Sequence, residues 1–297
     1  MARTRTGSIP IGTRCNAAWM SNVPDITAFA VEHGLECLDP GSWEPEKIKA
    51  ITDAGLALGT VDLPQPWGDL ASADSAKRND AVDTCVEFVK SVYDHGARIF
   101  FVCVLSEPNE TDRKKCMEYA IQGYGRLCEA IAPLPDGGAR IAMEGYPGSA
   151  PNYSILACTP ESCRRILHET GAANLGINFD PSHLLRMGID PVRFAEEFAP
   201  QVFHIHGKDT EILAEGVYEY GTQQQAEDPP KVPYGGTYWR YTIPGHGGAR
   251  WSKMLGILAG SGYAGRLGIE LEDMNYNGTE AGEKQGLIAS RQFLETV

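Results

Sequence analysis

The chain has 297 residues, 42% of them hydrophobic and 22% charged, which is enough to bury one large core or two average ones. Lysine and arginine number 26 against 39 aspartate and glutamate; the formal charge of −13 has the wrong sign for a surface that neutralises phosphates, so no nucleic-acid partner is expected. No apolar run approaches the roughly 18 residues that span a bilayer, and the charged start Met1–Thr6 leads into Ser8, Pro10, Gly12, Thr13 and Arg14 instead of an apolar leader, so the expected protein is cytoplasmic, with no membrane partner.

Taken in chain order, apolar runs lie near 9–18, 35–39, 56–63, 98–105, 140–144, 174–180, 201–206 and 266–271. Between them the spacing predicts helices near 25–34, 45–54, 75–95, 112–131, 160–170, 191–199, 251–261 and 282–296. Thr159-Pro160 and Asp190-Pro191 each put a capping oxygen ahead of a proline at the first helical position. Gly34, Gly55, Gly96 and Gly171 close helices and lead into the next strand. Eight such units, with strands too apolar to have a wet face, predict an α/β fold, a single (β/α)8 TIM barrel over residues 1–297. A doubly wound open sheet is the rival, and its glycine-rich phosphate turn is missing, since Gly7 and Gly12 do not form it. Residues 212–239 break the rhythm as an insertion after strand 7, expected to be a lid or a subunit contact. The eight cysteines include no C-x-x-C pair and are expected as reduced thiols, with Cys85 and Cys103 buried as small hydrophobes.

In such a barrel the working groups stand at the carboxyl ends of the strands. The fifth to eighth runs end in Glu144, Asp180, His206 and Glu270. Adjacent strands are about 4.8 Å apart, so these four can aim at one ion. Three carboxylates and an imidazole form an oxygen-rich set that favours Mn²⁺, with Mg²⁺, Co²⁺ or Zn²⁺ as alternatives. A period of two leaves Glu272 in phase with Glu270 and His204 with His206; the deeper His204 reads as a hydrogen-bonded core histidine and Asp273 as a supporting residue. Lys208 shares that phase and is expected either over the site, helping an oxyanion or leaving group, or in an ion pair with Asp209 or Glu211. Trp19, Trp67, Tyr146, Trp239 and Tyr241 are candidates to stack on a sugar or aglycone, with half of them serving packing only; Trp19 and Tyr146 are the two assigned to substrate.

These residues carry a resemblance. Asn178-Phe179-Asp180-Pro181-Ser182-His183-Leu184, His204-Ile205-His206-Gly207-Lys208-Asp209, Ile243-Pro244-Gly245-His246-Gly247 with Trp251, Gly262-Tyr263-Ala264-Gly265 and Ile269-Glu270-Leu271-Glu272-Asp273 resemble the sugar phosphate isomerase/epimerase family, the xylose isomerase-like TIM barrels. The resemblance implies Glu144, Asp180, His206 and Glu270 as metal ligands, His183 as a contact to a substrate oxygen, and Arg240 near the family's substrate-binding arginine. The family's metal-dependent endonuclease is disfavoured by only seven histidines and the acidic charge. Gly245–Arg250 is the one glycine-rich loop that could meet phosphate, and an unphosphorylated sugar is preferred.

The expected chemistry is proton abstraction beside a metal-bound carbonyl through an enediolate, with Glu144 and Glu270 as the catalytic acid and base. Return of the proton to the opposite face gives an epimer, return to the neighbouring carbon gives an isomer, and a leaving group β to the anion gives elimination. The leading expectation is an isomerase or epimerase of a keto sugar or 3-keto-glycoside. The alternatives are a lyase or deglycosidase acting on a 3-keto-glycoside and a non-catalytic carbohydrate-binding subunit. The expected partners are a small sugar or glycoside and further copies of the chain, or a hetero-complex for a deglycosidase subunit.

Overall fold

The computed structural model describes residues 1–107, 112–149, 154–223 and 225–297; Gln224 of the insertion lies outside them. The chain begins with β1 (Ile11–Arg14), α1 (Val23–Glu32), β2 (Cys37–Asp39) and α2 (Pro45–Asp53). Then come β3 (Ala57–Leu58), β4 (Val61–Asp62), α3 (Ser75–Tyr93), β5 (Ile99–Cys103), α4 (Arg113–Ile131) and β6 (Arg140–Glu144). They are followed by α5 (Pro160–Thr170), β7 (Leu175–Phe179), α6 (Pro181–Arg186), α7 (Pro191–Phe198) and β8 (Val202–Gly207). The rest is β9 (Asp209–Ile212), α8 (Ala214–Tyr220), β10 (Trp239–Thr242), α9 (Trp251–Gly260), β11 (Leu267–Ile269) and α10 (Glu280–Leu294).

Hydrogen bonding orders nine strands in one sheet, β3-β2-β1-β11-β8-β7-β6-β5-β4, while β9 and β10 pair separately. All eight apolar runs of the sequence become strands. The third is split in two, because Asp39 Oδ1 takes the backbone N–H of Thr60 at 3.0 Å and draws the chain aside between β3 and β4. A Cβ on Gly59 at this bend would meet Asp39 and His204, so only glycine passes.

The chain divides into two compact units. One holds residues 38–179 and 201–204, and in it β4, β5, β6 and β7 pair in parallel. Every residue of β5 and β7 is buried, as expected of strands covered on both faces. Ile99, Ala142 and Phe203 cluster in its core. The other unit holds residues 1–37, 180–200 and 205–297, with β1 parallel to β11 and β11 parallel to β8. Gly12 of β1 is obligatory there, since a Cβ would fall 2.1 Å from the carbonyl oxygen of Cys37.

The helix starts follow from local chemistry. Thr159 caps α5 by accepting from Ser162 N, and the Ser162 hydroxyl takes the Thr159 N–H at 3.0 Å, a reciprocal capping box. Thr159→Ala is expected to cost about 1 kcal/mol, read as a fall in the urea unfolding midpoint with an unchanged slope. Asp190 caps α7 through Val192 N at 2.9 Å. Gly34, Gly55, Gly96 and Gly171 all have positive φ, which explains why each helix stops there.

The insertion is an excursion built on antiparallel β9 and β10, with α8 inside it, and Tyr241 pairs with Thr210 and Arg240 with Glu211. The eight cysteines are thiols outside any disulfide, with Cys85 and Cys103 buried. No helix among the described residues is long and apolar enough to cross a membrane.

Candidate functional site

Register builds the centre of the site. In the β8–β11 pair Gly207 stands opposite Ile269, so the next residues on each strand, Lys208 and Glu270, leave the sheet at the same level. Asp180 follows β7 and is the N-cap of α6, where its Oδ1 accepts from Ser182 N at 2.8 Å. That bond turns the other oxygen, Oδ2, away from the helix, and it is buried without a hydrogen bond. One turn along α6 stands His183.

Asp180, His183 and Glu270 are all buried and each presents a ligand atom within 4.8 Å of the others. His206 Nδ1 lies 3.3 Å from Glu270 Oε2. Lys208, 1% exposed, reaches into the same cluster. Its ammonium contacts Glu270 Oε2, lies 3.0 Å from Glu272 Oε2 and 3.3 Å from Asp180 Oδ2, and stands 4.5 Å over the Tyr241 ring. The ammonium donates to Glu270, Glu272 and, at 3.5 Å, His183 Nε2, while Asp180 is a charge neighbour and not a hydrogen-bond partner. Neither of the expected pairings with Asp209 or Glu211 is made. Asp209 accepts instead from Thr210, Gly245 and Ala249 N–H groups and from Trp251 Nε1, pinning the 243–250 loop, and Glu211 is taken by Arg240 at 2.6 Å.

The charges set the protonation states. Burial pushes the Glu270 carboxyl up, but Lys208, His206 and Arg14 outweigh it and hold the group well below the usual carboxylate range. Burial likewise disfavours the Lys208 ammonium, and the charges of Asp180, Glu270 and Glu272 overcome it and hold the group well above its ordinary value. Three carboxylates face Lys208 and Arg14, whose Nε is 3.2 Å from Glu270 Oε1, with the His206 ring also against Glu270. Clustered carboxylates beside imidazoles, with a buried Asp180 oxygen that makes no hydrogen bond, suit a divalent cation.

In the other unit Glu144 ends β6, buried, directly opposite Asn178 of β7, which donates to its Oε1 at 2.8 Å. His204 binds Asp39 at 2.8 Å with both side chains fully buried, the core histidine expected from its depth. Back in the first-described cluster's own unit, Asp273 accepts from Ile243 N and from Asn275, supporting the loop above β11.

The aromatic candidates separate. Trp67 donates to the Leu63 carbonyl and packs edge-on against Phe101. Trp19 packs on Phe29 under Lys284, and Tyr146 is 37% exposed in the loop after β6. Tyr241 and Trp239, from β10, lie beside His183 and Arg186. Arg240 on the same strand is engaged by Glu211, which draws its guanidinium to the hairpin and not to the carboxylates. Residues that sequence reasoning passed over are Arg14, Asp39, Asn178 and Arg186. Asp39 ends the second apolar run, the position that flagged the other four, and Asn178 is in phase with Asp180; Arg14 ends β1 but lies inside the run placed at 9–18, and Arg186 carries no local signal.

The sheet order and these strand-end groups define an α/β barrel with an acidic, cation-suited centre. The chain belongs to the xylose isomerase-like TIM barrel family, whose model matches residues 27–297. It is similar to the uncharacterized protein YfiH of Bacillus subtilis (strain 168), 31% identical over 165 residues, 53% of this chain and 48% of that protein, so the match spans about half of the relative's length. It is also similar to inosose dehydratase 1 of Bacillus cereus, 25% identical over 237 residues, 75% of this chain and 73% of that one. Among solved structures, a D-tagatose 3-epimerase-like protein superposes with a TM-score of 0.69 at 18% identity, covering 96% of each chain. The 3-keto-D-glucoside 4-epimerase YcjR of E. coli gives 0.66 at 15%, covering 96% of this chain and 99% of that one. IolI with a bound zinc atom gives 0.68 at 15%, covering 96% of each. At these identities the structural likeness establishes the fold.

Proposed function

We propose that the protein is a divalent-metal-dependent isomerase or epimerase of a keto sugar or 3-keto-glycoside. The observation that carries this reading is the buried meeting of Asp180, His183 and Glu270 around Lys208, with His206 against Glu270, beyond the carboxyl ends of β8 and β11. Asp180, His206, Glu270 and Glu144 are the residues that would hold the ion, which when bound supplies positive charge against an oxygen becoming negative. Mn²⁺ suits three carboxylates and one imidazole; the zinc in IolI's structure is support for a divalent ion of this size.

The chain's own groups then divide the work. Glu270 is kept ionised by its cationic neighbours and accepts or returns a proton at carbon on one face. Glu144, oriented by Asn178, is its counterpart on the other. His183 holds a substrate oxygen, and the Lys208 ammonium favours negative charge on an oxygen beside it. Arg240, Trp19 and Tyr146 are proposed as outer substrate contacts, from their places in the sequence.

A second reading is elimination. The similarity to an inosose dehydratase over three quarters of the chain favours it, and Lys208, a buried ammonium held charged by its carboxylates, is the residue whose positive charge would assist a departing oxygen. The experiment is a panel of free ketoses and 3-keto-glycosides incubated with Mn²⁺ in deuterated water. Deuterium in an epimerised or isomerised product supports the first reading, release of water or an aglycone without epimer supports the second, and neither with any substrate or ion favours a non-catalytic binding protein.

A further inference from the structure

The glycine-rich loop 243–250 follows the seventh apolar run and its inserted hairpin, and it leads into the start of α9. Its outer residues Gly245, His246, Gly248 and Arg250 are exposed. Barrels often build phosphate sites from the loops after their seventh and eighth strands, where glycine lets backbone N–H groups close on an anion near a helix start. Gly245 stands at φ +88°, and a Cβ on Gly247 would collide with Asp209 Oδ1 and the Thr210 carbonyl, so only glycine lets the loop close over these two residues.

Asp209, fully buried at the start of β9, fills the centre of this cradle. Its Oδ1 accepts from the N–H groups of Thr210 at 2.8 Å and Ala249 at 2.9 Å, and its Oδ2 from the Gly245 N–H at 3.1 Å and Trp251 Nε1 at 3.0 Å. Two donors on each oxygen fix the group as a carboxylate, since a proton on either oxygen would face N–H groups instead of an acceptor. All four donors are neutral, so dipoles hold the negative charge, as backbone nests hold phosphate. Burial raises the carboxyl above its ordinary value, and the same four N–H groups oppose that rise. Two further N–H groups of the loop are engaged as well, Gly248 on the Thr210 carbonyl at 2.9 Å and His246 on the Ile243 carbonyl at 3.1 Å.

We propose that Asp209 is a specificity-determining residue: its carboxylate is a built-in anion that stands where a phosphate would sit and closes this loop to phosphorylated ligands. A phosphate brought to the loop would meet a like charge and N–H groups that already have acceptors. For the reaction the consequence rests on the sugar-enzyme reading, in which the sugar or glycoside is one that carries no phosphate towards this loop. The role is distinct from that of Lys208, the preceding residue, whose ammonium turns to the carboxylates of the site.

The test needs neither sugar nor divalent ion. The full chain is labelled with ¹⁵N in its five tryptophan indoles, the Trp251 signal is identified by its loss in Trp251→Phe, and inorganic phosphate is titrated against sodium chloride of equal ionic strength. In the wild type the Trp251 signal is expected to ignore phosphate. In Asp209→Gly, which removes the carboxylate and leaves the donors, phosphate is expected to shift that signal saturably and to raise the melting temperature, while chloride does neither. Asp209→Asn keeps the space filled and should stay indifferent to phosphate. A Trp251 signal that follows phosphate in the wild type or in Asp209→Asn, or ignores it in Asp209→Gly, would overturn the proposal. Should Asp209→Gly not fold in chloride, recovery of a dispersed indole spectrum in phosphate is the expected result, and a chain still unfolded there would overturn it too. No outcome depends on turnover, so failure of the sugar-enzyme reading and failure of this assignment are told apart.

Discussion

Lys208→Met is expected to lower the unfolding free energy of the ion-free protein by about 3 to 5 kcal/mol, the cost of taking one partner out of a buried ion pair. Methionine fills similar space, so the loss is one of charge. Asp180, Glu270 and Glu272 would be left facing one another, with Arg14 and His206 against Glu270 as the remaining counterweights. The pH dependence separates this from a packing defect. In the wild type Glu270 is held well below its unfolded value of about 4.3. Its contribution is therefore complete above that pH and is lost as pH falls towards the folded value. In Lys208→Met burial loses its main opponent and the cluster takes up protons more readily, so the deficit against wild type is expected to shrink as pH falls from 7 to 5. Chemical unfolding in a chelator across that range checks both. Divalent ion should restore part of the loss, about 2.7 kcal/mol at a hundredfold excess over its Kd. A variant as stable as wild type at pH 7 would mean that the lysine does not balance these carboxylates.

The barrel rhythm was legible because covered parallel strands are apolar throughout and stop abruptly at polar groups, as in Ile141-Ala142-Met143-Glu144. What stayed hidden depends on partners remote in sequence. His204 and His206 share a phase, and only Asp39, 165 residues from His204, makes the first a core residue. The same aspartate breaks the third run in two by holding Thr60. Helix α6 escaped because six residues show less than two turns of period, although Asp180-Pro181 carries the same cap-and-proline start as Asp190-Pro191. The strands β9 and β10 were invisible as a pair, since the segment between them is far too long to leave a turn signature. For Lys208 the sequence left two placements open, over the site or paired with Asp209 or Glu211, and the β8–β11 register, which sets it level with Glu270, decides against the pairing.

Glu144→Gln and Glu270→Gln are each expected to slow exchange of the substrate's carbon-bound proton by about 10² to 10⁴-fold, the usual contribution of a placed acid or base. The substitutions preserve shape and hydrogen-bonding reach while removing the proton acceptor. Their side effects should differ. Glu144→Gln keeps an oxygen for the Asn178 amide, so little stability should be lost. Glu270→Gln strips charge from Lys208, His206 and Arg14 at once, and its unfolding midpoint should fall measurably. Both changes also weaken an ion site, so exchange must be followed at ion concentrations that saturate each variant, with bound metal measured on the same samples. On the proposed two-base reading, the loss of exchange in each variant should fall on the epimer whose proton that glutamate takes, and turnover should fail in both. Wild-type exchange in both variants would place the proton acceptor elsewhere, and the epimerase reading would fall with it.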